Sequence, residues 1–202
     1  MRATLLAIFA AVFVWSAIRP HDYFTWILEV FPAILGLIVL LATYKRFPLT
    51  TLLCTLLCLH AIILCVGGHY TYAEVPLGNW VRDALGLARN HYDRVGHFAQ
   101  GFVPAMLARE ILIRRNVVRG RGWLYFIIVA ICLAVSAAYE LLEWSVSVAT
   151  GSAGDAFLGT QGDVWDTQKD MALALIGALT APLVLGRLHD RQLARVASPE
   201  NR

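Results

Sequence analysis

The chain has 202 residues, 58% of them hydrophobic and only 15% charged, with a formal net charge of +3. Average globular proteins hold about 45–50% apolar and about 25% charged residues, and a mean hydropathy of +0.62 leaves too little polar surface for a water-soluble domain. Disorder needs low hydrophobicity and is excluded, as is nucleic-acid binding, because no run of basic residues interleaved with aromatics is present.

Stretches free of Asp, Glu, Lys and Arg form six blocks in chain order: Ala3–Ile18, Val30–Tyr44, Phe47–Ala73, Val95–Ala108, Gly122–Tyr139 and Met171–Gly186. A bilayer core asks for about 20 apolar helical residues, within a range of about 17–25. Only the third block exceeds that unaided. The others reach it by drawing in Glu29, Arg109, Glu110, Glu140, Glu143 and Asp170. The fold class is therefore an all-α polytopic bundle of about six transmembrane helices. It is one domain over residues 1–188, with long loops at 68–93 and 149–169 and a short, charged tail at 189–202 that is expected to fray.

The first block has one n-region charge, Arg2, and no A-x-A site before Arg19 and Pro20, so it reads as an uncleaved span rather than a signal peptide. Pro32 and Pro104 fall inside apolar blocks and predict kinks, with an early helical position as the alternative for Pro32. The four cysteines, Cys54, Cys58, Cys65 and Cys132, form no CxxC pair and are expected to act as small packing residues. Six spans place eleven basic residues beside the two termini and loops 2–3 and 4–5, and five on the other side. The positive-inside rule then puts both termini in the cytoplasm and the two long loops outside. The tryptophans, Trp15, Trp26, Trp80, Trp123, Trp144 and Trp165, fall near span ends or in loops, as an aromatic belt does.

Ionisable residues within spans are costly in lipid and are candidates for function. The topology brings His97 on span 4, Glu140 and Glu143 on span 5, and Asp163, Asp166 and Asp170 at the start of span 6 to one depth on the outer side. At about 100° per residue the three aspartates share one helical face within about 60°. Such crowding needs raised carboxylate pKa values, partners such as Arg94 or Lys169, or a bound cation. His97 and Glu140 are the candidate catalytic acid–base residues. Glu143, Asp163, Asp166 and Asp170 are the candidate metal ligands, for a divalent ion such as Mg²⁺, Mn²⁺ or Zn²⁺.

Each residue also has a structural use. Asp163 fits an N-cap with Asp166 in a capping box, and His97 fits a hydrogen bond to a backbone carbonyl. His60 reads as a packed polar residue, Glu29 as a carboxylate snorkelling to the headgroups, and Arg109–Glu110 as an ion pair near the cytoplasmic surface. Arg109 and Glu110 lie about 18–20 Å deeper than His97. Gly151–Gly162 is glycine-rich but follows no strand, and is expected to fold back over the acids.

The segments Tyr92–Phe98 (YDRVGHF), Tyr139–Trp144 (YELLEW) and Phe157–Met171 (FLGTQGDVWDTQKDM) resemble the signature blocks of YjdF-type bacterial inner-membrane proteins. That multi-span family has no assigned biochemical role, and the likeness runs from the second span to the sixth. A weaker resemblance is to VanZ-like membrane proteins, which share a histidine on one span, a glutamate on the next and an aspartate opening a glycine-containing last helix. Here these would be His97, Glu140, and Asp166 or Asp170 followed by Gly177. The VanZ prototype is associated with tolerance to a glycopeptide antibiotic, so the resemblance implies cell-envelope chemistry. Together the resemblances imply a bacterial inner-membrane location. The readings that follow are an envelope enzyme on a lipid or lipid-linked substrate, an ion-coupled transporter, or a non-catalytic scaffold. The lipid bilayer is the one partner all three share; the substrate-binding residues are unassigned.

Overall fold

A computed structural model describes residues 2–151 and 157–197. Among them are seven α-helices and no strand: α1 (Arg2–Ala17), α2 (Tyr23–Thr43), α3 (Thr51–Tyr70), α4 (Pro76–Leu85), α5 (Tyr92–Arg114), α6 (Arg121–Thr150) and α7 (Asp166–Ala197), with a 3₁₀ turn at Tyr72–Glu74. Six correspond to the six apolar blocks. Four of them (α2, α3, α6 and α7) are by themselves long and apolar enough to cross a membrane. α1 is shorter. α5 is long, but Asp93, Arg94, Arg109, Glu110 and Arg114 lower its apolar character.

The helices outrun the charge-free blocks because their ends are capped and paired. Asp22 accepts the Thr25 amide at 2.6 Å and starts α2 seven residues before its block, and the Thr50 side chain caps α3. α6 continues past Glu140 and Glu143 to Thr150. α7 begins at Asp166 and runs to Ala197, through the region expected to fray. At 1.5 Å per residue, α6 and α7 are roughly 45–48 Å long and outreach a hydrocarbon core of about 30 Å. Their acidic ends therefore project beyond its centre.

Two packed groups make up the bundle. Phe9, Val30, Cys58 and Cys65 join α1, α2 and α3. Leu53, Ala105, Met106, Ile128, Cys132 and Ala178 join α3, α5, α6 and α7. Ile27, Phe31, Leu35 and Ile38 of α2 form an exposed stripe, the face a membrane helix turns to lipid. Trp15, Trp80, Trp123, Trp144 and Trp165 are exposed, as a belt requires, whereas Trp26 turns inward and donates to Ser16 Oγ at 3.1 Å. Cys58, Cys65 and Cys132 are buried free thiols.

α5 and α7 form the most intimate helix pair. A Cβ at Gly101 would collide with the Ala174 carbonyl, and one at Gly177 would collide with the Phe98 carbonyl. Small residues at such contacts let backbones approach where no hydrophobic force between helices is available. That approach sets the start of α5 against the start of α7.

At the opposite end the charges pair differently from expectation. Glu110 is fully buried; it accepts from Thr50 N at 3.0 Å and Thr50 Oγ1 at 2.7 Å, and pairs with Arg114 at 2.8 Å and His189 at 2.9 Å. Arg109 turns away to Asp190 at 2.6 Å and to His189 Nδ1 at 3.0 Å. Adjacent residues on a helix point about 100° apart, so Arg109 and Glu110 reach different neighbours instead of each other.

Candidate functional site

Asp93 and His97, one turn apart on α5, place a carboxylate beside an imidazole: His97 Nε2 is 3.3 Å from Asp93 Oδ1. The other ring nitrogen pairs with Gln100 Oε1 at 2.9 Å and lies 3.6 Å from Glu140 Oε1 of α6. Asp170 of α7 is 3.9 Å from Nε2. Asp93, His97 and Asp170 each offer a ligand atom within 4.8 Å of the others.

Asp163, Asp166 and Asp170, at the start of α7, meet two arginines. Arg94 donates to Asp166 Oδ1 at 2.6 Å and Asp163 Oδ2 at 3.2 Å, and pairs with Asp170 as well. Arg89 donates to Asp166 Oδ1 at 2.5 Å and to the carbonyls of Thr160 and Gly159 at 3.0 and 3.1 Å. Lys169 reaches Asp163 at 2.7 Å. The Lys169 ammonium and the Trp165 amide hold the Asp163 carboxyl below the usual carboxylate range. Asp163 accepts the Trp165 amide at 3.1 Å, in the turn that leads into α7. Asp166 is itself the first residue of that helix, rather than the N3 partner of a capping box.

A clamp on the loop holds this arrangement. Gln161 Oε1 accepts the Asn90 amide, and its Nε2 donates to the Asn90 carbonyl, both at 3.0 Å. Asn90 in turn donates to Val75 O at 3.0 Å and Asn79 Oδ1 at 2.9 Å, while its Oδ1 accepts the Tyr92 amide at 2.9 Å. Gln161 has a φ of 48°, a left-handed conformation unusual for a side chain with a Cβ, and its paired amide bonds oppose that strain. The loop therefore folds back over the acids through Gly159, Thr160 and Gln161; residues 152–156 of the glycine-rich stretch lie outside the described residues.

Beside the cluster a cavity of about 630 Å³ opens between the two packed groups of helices. Its long wall is apolar, from Phe9, Leu37, Leu57 and Ala61 among others, and its polar end is formed by Glu29, Tyr72, Asp93, His97, Gln100, Tyr139 and Glu143. Pro32, His60 and Pro104 also face it. The Tyr72 ring is wedged where a Cβ on either Gly67 of α3 or Gly96 of α5 would strike it.

The six residues singled out from the sequence do gather at one end of the bundle, in two subsets. Asp163, Asp166 and Asp170 are bridged by Arg94, and His97 stands between Asp170 and Glu140. Glu143 lines the cavity, as does Glu29 of α2. Glu29 does not snorkel: it is 6% exposed and faces inward. Arg89, Tyr72 and Tyr139 carried no distinguishing signal in the sequence, while Glu29 did, as a lone carboxylate in an otherwise apolar helix.

An all-helical bundle with lipid-length apolar helices and an acid-lined chamber at one end is a polytopic membrane protein. The chain belongs to the family described as Predicted membrane protein (DUF2238), whose model matches residues 1–191. It is 55% identical over 184 residues to Inner membrane protein YjdF of Escherichia coli (strain K12), covering 91% of this chain and 88% of that relative. No solved structure shows a significant match.

Proposed function

We propose that the chain is a multi-pass protein of the bacterial inner membrane, with both termini in the cytoplasm, and that it is an envelope enzyme acting on a lipid or lipid-linked substrate from the outer side. The observation that carries this reading is the cavity, an apolar groove that ends against an imidazole flanked by carboxylates. A substrate's chain would lie along the groove while its head meets His97. Asp93 and Gln100 orient the ring, and His97 with Glu140 serves as the acid–base pair, one group taking and the other returning a proton at the head.

A divalent ion such as Mg²⁺, Mn²⁺ or Zn²⁺ is part of the proposal in one form. Asp93, His97 and Asp170 are the residues whose donor atoms converge, and Glu143 borders the same chamber. Such an ion would supply Lewis-acid chemistry. Asp163 and Asp166 would contribute through Arg94, which bridges them to Asp170.

The test is turnover. Purified protein is incubated with a total polar lipid extract, and products are followed by mass spectrometry. A species that forms with wild type, and is lost in His97→Ala and Glu140→Gln, supports the enzyme. No change in any lipid under conditions where the protein stays folded overturns it. Elemental analysis of wild type and Asp170→Ala decides the metal form: no stoichiometric metal ends it. A second reading, an ion-coupled carrier, draws on carboxylates carried within the helices, Glu29, Glu140 and Glu143 among them. Cation-dependent uptake into proteoliposomes that Glu140→Gln abolishes would favour that reading.

A further inference from the structure

The charges around the chamber do not balance evenly. Arg94 is engaged by Asp163, Asp166 and Asp170, and Arg89 by Asp166, with Asp93 and Asp163 within 4 Å. His97 faces Asp93 and Glu140. Glu29 and Glu143 form no ion pair among the described residues, although they are only 6% and 7% exposed and both line the cavity. Glu29 meets the Tyr72 hydroxyl. The buried Tyr139 hydroxyl lacks a hydrogen-bond partner among the described residues, and Tyr139 lines the same cavity as Glu143.

Buried carboxylates without a countercharge are costly, and a pocket that holds them disfavours phosphate or carboxylate groups. They call for a cation or a hydrogen-bond donor. A bare metal ion needs several ligand atoms within a few ångströms, yet the one converging trio among the described residues is Asp93, His97 and Asp170; neither Glu29 nor Glu143 belongs to it. An ammonium group suits wider spacing, because its three N–H donors radiate about 3 Å to separate acceptors. Aromatic faces add cation–π attraction, and Tyr72 and Tyr139 stand at this end of the cavity. From Glu29 the groove follows α2 to Leu40 and beyond, about 16 Å at helical rise, along apolar side chains that would solvate a hydrocarbon tail.

We propose that Glu29 and Glu143, with Tyr72 and Tyr139, form the recognition site for the protonated amine of a membrane amphiphile whose hydrocarbon chain lies in the groove between α1, α2 and α3. This rests on the reading of the cavity as a lipid-substrate site and names the chemistry of the head it accepts.

The experiment titrates the purified full chain, in neutral detergent, with an alkylamine, an alkanol and an alkanoate of equal chain length, followed by calorimetry. Saturable alkylamine binding is expected, with the alkanoate about tenfold weaker or worse. Glu29→Gln/Glu143→Gln keeps the side-chain shapes, and is expected to weaken the amine about tenfold while leaving the alkanol unchanged. Leu37→Trp, which fills the groove, is expected to reduce all three. Equal affinity for amine, alkanol and alkanoate, or an amine affinity indifferent to the double substitution, overturns the amine assignment and leaves the lipid-site reading standing. Binding of none of the three overturns both. Displacement of the amine by Mn²⁺ that depends on Glu29 and Glu143 would assign those carboxylates to a metal, and so overturn the proposal.

Discussion

Replacing Arg94 with methionine tests whether the arginine bridge is what allows Asp163, Asp166 and Asp170 to stand together at the start of α7. The side chain is 11% exposed, and it pairs with Asp166 at 2.6 Å, with Asp163 at 3.2 Å and with Asp170. Methionine conserves most of the stem but takes from Asp170 its arginine partner, leaving His97 at 3.9 Å, while Asp166 keeps Arg89. Removing one partner of a buried ion pair costs about 3–5 kcal/mol, mostly because a charge is left uncompensated. Arg89 still holds Asp166 at 2.5 Å, and Asp163 keeps Lys169, so the lower end, about 3 kcal/mol, is expected. For a chain of this length that corresponds to roughly 6–12 °C in Tm, measured by tryptophan fluorescence in detergent. Arg94→Lys should recover only part of the loss, because a point charge cannot fork across two carboxylates. Adding Asp170→Asn to Arg94→Met should restore about 1 kcal/mol or more by removing the orphaned charge. A loss below about 1 kcal/mol for Arg94→Met, with no recovery in the double variant, would refute the bridge as the organising contact.

Gly101→Val puts a branched side chain against the Ala174 carbonyl. It should cost about 1–3 kcal/mol, seen as a lower Tm, whereas Gly36→Val, with nothing near its Cβ position, should leave Tm unchanged. Glu110→Ala strips Thr50, Arg114 and His189 of a shared acceptor and should cost about 3 kcal/mol or more; Glu110→Gln, which keeps an acceptor oxygen, should cost less in the same assay. Asp22→Ala removes the cap on α2 and should cost about 1 kcal/mol at neutral pH. The Asp22 carboxyl is held below its ordinary value of 3.8 by the Thr25 amide. Its contribution is therefore present above about pH 4 and lost as pH falls through the lowered folded value. Unfolding curves of wild type and variant should converge in acid; an undiminished gap at low pH would show that the cap does not act through its charge.

Much of this molecule was legible from the chain alone. Membrane residence and six apolar segments follow from composition and block length, since no soluble fold could cover so much apolar surface. The meeting of His97, Glu140 and the α7 aspartates at one end also follows, because alternating spans carry depth along the sequence at a fixed rise per residue. Even Arg94 and Lys169 could be named as partners for the acids. Helix ends could not be read this way. α6 and α7 run well past the charge-free blocks because Glu140, Asp166 and His189 are paired within the bundle, and pairing across helices leaves no mark on local hydropathy.

Tertiary structure alone decided which carboxylates are neutralised and which face open space. Depth along the membrane is a one-dimensional quantity that the order of residues encodes. The direction a side chain takes around its helix, and the neighbour it finds there, depends on how closely the backbones pack. Gly101 and Gly177 draw α5 and α7 together, so Arg94 is within reach of Asp166 and Asp170. Tyr72 wedges against Gly67 and Gly96, so α2, α3 and α5 enclose a chamber. Glu29 and Glu143 come from helices more than a hundred residues apart in the chain. They come to line one chamber only because the helices pack around it.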